Sequence, residues 1–384
     1  MSPPSPLSFF QRYGLDDGAK LVCHEVVNGV YEGWDIRAIE CQGYCSYTVI
    51  VIPKMHAVGE RGGGREQKEG HQRDKVVQLQ PSEIVEKARI VQFRPEQHKL
   101  DLSVTEAAKK VYGAYAPQVK ELEVELGLRV MLRVYEVEFI VGMPYSRFQN
   151  CGRMMDEKKW SMQIKLVKGF AGFMAKGWRG TLGDDDSGCD GNSGARKLTG
   201  KVGANITIKL EKLAQQLPSS PLRTKARNTL ATLPLLENLP VILNHGDIVP
   251  SNIMLDPSTG ELIGLVDWAE AEWLPFGTCL YGLEHLLGWL DLGTSDARPQ
   301  FVYYDRAEQL REVFWEELRI QIPEVMRWID SVMLARDIGI LLWFGYAWDE
   351  GRINRVVNSK EDAEELECLE VFLNLEDRRA MAKL

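Results

Sequence analysis

Residues 241–267, VILNHGDIVPSNIMLDPSTGELIGLVD, interrupt a stretch whose hydrophobic spacing is otherwise helical, and they constrain the chain more than any other segment. An apolar run, a polar loop, a second apolar stretch, a turn at 257–260 and a third apolar run ending in Asp267 read as short strands joined by turns. Strands paired across that turn bring their polar ends together. Asp247 and Asn252 then share one loop, and Asp267 arrives from the neighbouring strand end.

Two carboxylates and a carboxamide at one point make a set that phosphoryl transfer can use. That reaction asks little covalent work of a protein. It needs a carboxylate to orient or deprotonate the acceptor hydroxyl, and oxygen ligands to hold Mg²⁺ against the phosphates. Asp247 is the candidate catalytic carboxylate, Asn252 and Asp267 are the candidate metal ligands, and His245 is a support holding the loop by hydrogen bonds. An ordinary polar turn between two buried strands accounts for the same residues without chemistry.

His245-Gly246-Asp247 with Asn252, followed by Val266-Asp267-Trp268-Ala269-Glu270-Ala271, resembles the H-G-D-x-x-x-x-N and I-D-W-x-x-A motifs of the aminoglycoside phosphotransferase and choline kinase group. The clear match covers residues 241–271. The resemblance implies an α+β, bilobal protein-kinase-like fold. A nucleotide-covering lobe, an antiparallel sheet plus one helix, would span 1–140, and a mostly helical lobe with catalytic loop and acceptor site would span 141–384. It also implies ATP and Mg²⁺ as cofactors, and transfer of the γ-phosphate to a hydroxyl of a small-molecule acceptor, cationic or polyhydroxylated. The strings CQGYCSYT and IVQFRP add a similarity in style to divergent phosphotransferase-like proteins of fungi.

Further parts follow from position within that resemblance. Gly43 and Ser46, in a short turn between two predicted strands, sit where the group has its phosphate-covering loop; a plain hairpin turn is the alternative. Arg94 stands where the group carries a phosphate-binding lysine, and the two cations differ in reach and hydration. Glu106 fits the helix glutamate that would pair with Arg94, although a capping box with Ser103 explains it equally. Glu136 and Phe139 lie where a hinge would present backbone groups to adenine, or they simply end a strand. Glu270, Glu272 and Glu284 follow the metal loop; solvated charge is the better reading, recognition of a basic acceptor the other.

Elsewhere, β-branched and aromatic runs predict strands over 36–41, 47–52, 88–93 and 129–139, and a helix over 104–115 opened by Ser103. Trp160, Ile164, Val167, Ala171, Met174 and Trp178 recur at helical spacing, and similar stripes run over 306–320 and 324–348. The segments 57–75 and 179–198 are rich in glycine and charge and read as mobile surface insertions.

Net charge is −9, from 46 Lys+Arg against 55 Asp+Glu, the wrong sign for a chain whose work is gripping a nucleic-acid backbone. The strongest apolar run, 338–348, is far short of the roughly 20 residues of a membrane span. Seven scattered cysteines suggest no disulfide framework or metal clip, and the N-terminus lacks a secretory pattern. A cytoplasmic location is therefore expected, with neither nucleic-acid nor membrane partner. Two rivals remain beside the enzyme: a pseudokinase that binds nucleotide or ligand without phosphotransfer, motivated by Arg94 and the single-glycine loop, and a kinase fold repurposed for another reaction.

Overall fold

Tyr47, Val49 and Val51 are buried at every second position of one strand, as are Val91 and Phe93 of the next, the period of a sheet with one covered face. They belong to β2 (Tyr47–Pro53) and β3 (Arg89–Pro95) in the computed structural model of the chain. It describes residues 7–39, 42–54, 87–180, 198, 200–293, 298–351 and 353–373. With β1 (Trp34–Ala38), β4 (Val119–Glu121) and β5 (Leu132–Glu138) these strands form an antiparallel sheet of order β1-β2-β3-β5-β4. The four strands expected from sequence are present, with ends shifted by a few residues.

The sheet lies in the first of two compact units, Met1–Leu102 with Gln118–Val141. The longest helix among its described residues is Asp17–Val30, which sequence reasoning passed over. Ala19, Cys23 and Val27, four apart, are buried in one cluster with Val49, Val91 and Phe93, and the Asp16 side chain caps the helix by accepting the Ala19 N–H at 3.2 Å. The helix expected at 104–115 instead runs over Leu102–Tyr112, and from Ser103 onward it clusters with the second unit, Ser103–Pro117 and Gly142–Leu384. Ser103 is therefore inside the first turn, not the cap.

The second unit is mostly helical, as expected. Asp156 caps Glu157–Arg179 by accepting the Lys159 N–H at 2.8 Å, and that helix buries Trp160, Phe170, Phe173, Met174 and Trp178. Helix Ala307–Gln321 lies along it, its Phe314 ring 5.8 Å from Phe170. Helix Ile329–Phe344 is apolar on nearly every face and buried accordingly. It stops at Phe344, earlier than its hydrophobic run; Tyr346–Ala347 forms a strand paired with Arg355–Val356. Among the described residues no helix is long and apolar enough to cross a membrane. The predicted insertion 57–75 lies outside the described residues, as does nearly all of 179–198.

Candidate active site

Three short pairings bring the 241–267 segment together. β7 (Val241–Asn244) pairs with β10 (Glu272–Pro275), and β8 (Ile253–Leu255) pairs both with β9 (Leu262–Leu265) and with β6 (Met143–Pro144). Ile253 lies opposite Leu265, and one step beyond, the Val266 N–H donates to the Asn252 carbonyl at 2.9 Å. Asp267 thus leaves the sheet beside Asn252. Its backbone is left-handed, φ 61°, a region that Asp tolerates better than most residues and that concentrates at functional sites.

The Asn252 side-chain N–H groups donate to the Asp247 carbonyl at 3.0 Å and to Asp247 Oδ2 at 2.8 Å. With Nδ2 turned to Asp247, Oδ1 is the carboxamide atom left to accept or ligate. Burial, and next the charge of Asp267, push the Asp247 carboxyl up to about 7, the Asn252 bond opposing them. A carboxyl in that range is poised to take a proton near neutral pH.

His245 is completely buried. Its Nδ1 accepts the Asp247 backbone N–H at 3.2 Å, so the bonding pattern puts the ring proton on Nε2, which donates to the Val266 carbonyl at 3.0 Å. Burial lowers its pKa to about 4, so the ring is neutral. It ties the loop carrying Asp247 to the strand end carrying Asp267. Gly246, at φ 81°, lets the Glu270 carbonyl approach so closely that a Cβ would sit 1.9 Å from it. Trp268 packs on His245, centroids 4.6 Å apart, and donates from Nε1 to the Leu265 carbonyl.

Sequence reasoning missed two supports. Asn244, buried at the end of β7, donates to the carbonyls of Ile242 and Leu274 and accepts the Cys279 N–H. Tyr281 accepts the Ile248 N–H at 3.1 Å, anchoring the residue after Asp247. A polar residue closing an apolar strand was the available signal for Asn244; none marked Tyr281.

The acidic residues behave differently from expectation. Glu284 is neither solvated charge nor an acceptor ligand: it is fully buried between Arg311 at 2.8 Å and Arg336 at 2.6 Å, and Tyr303 donates to it at 2.8 Å. Burial alone would raise its pKa, but the two guanidinium groups outweigh that and draw it down to about 2. Glu272 accepts the backbone N–H groups of Lys201, Val202 and Gly203, latching that turn to β10. Glu270 remains partly exposed, 3.7 Å from Lys201 Nζ.

Several expected nucleotide residues lie in the first unit. Ser46 is buried with Oγ 3.1 Å from Thr48 Oγ1, a contact within the hairpin. The Gly43 carbonyl accepts from Arg12, whose guanidinium stacks on Tyr44 at 4.5 Å. Arg94 is buried, donating to Gln92 Oε1 at 3.1 Å and to the His98 carbonyl at 3.4 Å. Glu136 is a mid-strand residue whose carboxylate takes the Tyr31 hydroxyl and Lys120, at 2.9 Å, and Phe139 follows the end of β5. Glu106 is exposed on Leu102–Tyr112, with the second unit.

Among the described residues no cluster of three His, Cys, Asp or Glu side chains forms a complete metal cage. The donor set of Asp267 and Asn252 nevertheless fits Mg²⁺, a hard cation usually bound by one or two protein oxygens with phosphates and water completing its shell. Asp247 and Glu270 line a cavity of about 310 Å³ with Trp343, Tyr346 and Trp348.

The model of the phosphotransferase enzyme family matches residues 194–278, a span that contains the whole motif segment up to Ala271. No curated protein matches the chain. Among solved structures, choline kinase from Cryptosporidium parvum Iowa II is similar at 12% identity, over 92% of this chain and 95% of that one, with a TM-score of 0.52. Ethanolamine kinase from Plasmodium vivax follows at 12% identity, 92% and 87% coverage and TM-score 0.47. A putative aminoglycoside phosphotransferase from Ralstonia eutropha gives 12%, 93% and 95% coverage and 0.47. The chain therefore carries a phosphotransferase enzyme family segment within an α+β, bilobal protein-kinase-like fold, the group its two motifs resemble.

Proposed function

We propose that the protein is an ATP-dependent small-molecule phosphotransferase that moves the γ-phosphate onto an acceptor hydroxyl. The observation that carries this reading is the Asp247–Asn252 bond at 2.8 Å, with Asp267 leading off beside it. Asp247 orients the acceptor hydroxyl and takes its proton as the oxygen attacks. Asn252 holds Asp247 through Nδ2, and Asn252 Oδ1 and the Asp267 carboxylate are the groups that would hold Mg²⁺. When bound, Mg²⁺ neutralises phosphate charge as it shifts toward the leaving group. His245 keeps these groups in register. The acceptor enters the cavity walled by Trp343, Tyr346 and Trp348. A cytoplasmic setting supplies the ATP.

Mg²⁺-dependent thermal stabilisation by ATP, followed by ADP release with pooled acceptors, tests the reading. No stabilisation at millimolar ATP, or turnover undiminished in Asp247→Ala, would refute it.

One observation favours a second reading. Arg94 is bound to Gln92 and His98, neighbours on its own chain segment, as a residue with a structural duty would be. A nucleotide-binding protein without transfer would show ATP stabilisation and no ADP release with any acceptor.

A further inference from the structure

A second cavity, of about 450 Å³, adjoins the one at Asp247; Glu270, Trp343, Tyr346 and Ile353 line both. It differs in carrying three lysines, Lys201, Lys209 and Lys212, beside Glu270 and Glu272. Lys209 and Lys212, on helix Ile206–Gln216, both reach over the Tyr346 ring, their Nζ atoms 4.2 and 5.9 Å from its centroid. Lys209 Nζ donates to the Ile353 carbonyl at 2.9 Å and Lys212 Nζ to the Asn354 carbonyl.

Neutral carbonyls and a ring are the contacts of these two ammonium groups. Among the described residues neither has a carboxylate within ion-pair distance, although the chain as a whole is −9. The carboxylates lining the same cavity have nearer partners, Glu272 three backbone N–H groups and Glu270 the Lys201 ammonium at 3.7 Å, so that Glu272 acts on Lys209 only through space. Two like charges side by side raise the cost of both. Partial burial, and next the neighbouring Lys212 charge, lower the Lys209 pKa against a smaller upward pull from Glu272. An anion in the cavity would relieve that repulsion, and each ammonium keeps donors beyond the one spent on a carbonyl. A cation there would worsen it.

We propose that the acceptor is two-ended: its hydroxyl meets Asp247 in the smaller cavity while a carboxylate or phosphate group on the same molecule is held by Lys209 and Lys212 in the larger. This rests on the phosphotransferase reading for the hydroxyl end and on the lysine pair alone for the anionic end. Tyr346 is the shared wall along which such a molecule lies.

Two acceptor mixtures test it, one of hydroxy acids and sugar monophosphates, the other of amino alcohols and aminoglycosides, each with Mg²⁺ and ATP and with ADP release as readout. Turnover on the anionic mixture supports the proposal if Lys209→Met with Lys212→Met raises KM by about tenfold or more and leaves kcat within about threefold, the signature of lost ground-state binding. Turnover confined to the cationic mixture, or an unmoved KM, overturns it. Calorimetry with glycerate and with inorganic phosphate as probes reads binding without turnover. Saturable binding of either that vanishes in the double variant supports the site, and the probe that binds identifies carboxylate or phosphate as the group preferred. Binding that survives the double variant, or none to the wild type, overturns it. ATP stabilisation is recorded on the same samples; its absence sinks the phosphotransferase reading, while the anion site stands or falls by calorimetry.

Discussion

His245 Nε2 donates to the Val266 carbonyl at 3.0 Å, joining the loop of Asp247 to the strand end of Asp267 through a neutral, wholly buried ring. Replacing it by Leu keeps an apolar filling but strands the Val266 carbonyl and the Asp247 N–H. Each of these partly buried groups, left without a partner, costs up to about 1–3 kcal/mol. His245→Leu should therefore lose about 2–6 kcal/mol in urea unfolding, and any ADP release with it. Wild-type stability would show that the clamp is not needed.

Asp247→Asn should separate chemistry from binding. Loss of the proton acceptor lowers turnover by about 10²–10⁴-fold, while Mg²⁺-dependent ATP stabilisation persists because Asn252 and Asp267 are untouched. Asp267→Asn should do the reverse to the thermal shift, abolishing its dependence on Mg²⁺. Identical behaviour of the two variants would contradict the division of roles.

Glu284 is wedged between two buried arginines, and its neutralisation removes the one fully buried counter-charge they share, leaving Arg336 with Asp337 at 3.0 Å and Arg311 with the more exposed Glu308 at 3.5 Å. Glu284→Gln should cost about 3–5 kcal/mol, the range for breaking a buried pair by deleting one partner. Denaturant titration checks it. A cost under about 1 kcal/mol would place this cluster with exposed pairs.

Acid should destabilise the protein through histidines buried in neutral form. His285, packed with Phe301, Phe344 and Phe372, has its pKa lowered by burial to about 4, as has His245. Unfolding frees each ring to take a proton below about 6.5. Between that pH and about 4 the unfolded chain binds more protons than the folded one, so stability falls as pH falls. Each histidine contributes about 3 kcal/mol across the window. His285→Phe should fit the aromatic surroundings and flatten the pH dependence of the melting temperature by roughly its share. A slope identical to wild type would exclude His285 as a source.

How much of this was legible in the amino-acid order depends on how local each feature is. The strand–loop–strand run of 241–267 carries its own period and turn residues, so the meeting of Asp247, Asn252 and Asp267 follows from short-range pairing. The stripe from Trp160 to Trp178 likewise announces its helix. Glu284 does not: nothing near it reveals that Arg311 and Arg336, far along the chain, neutralise it, and a charged residue without visible partners reads as solvated. Ser103 and Glu106 match a cap in sequence, yet the helix already includes Leu102, so the capping pattern is displaced from the helix start.

By its order alone, then, the chain specifies the strand–loop–strand segment that carries Asp247, the strands of the first unit's sheet and the helical character of the second unit, since each rests on patterns within a dozen or so residues. Tertiary structure decides the charge state of Asp247 and Glu284, the burial of Ser46 and Arg94, and the gathering of Lys209, Lys212 and Tyr346 around one cavity. Those outcomes depend on desolvation and on partners brought in from distant segments, and neither is encoded by any local spacing.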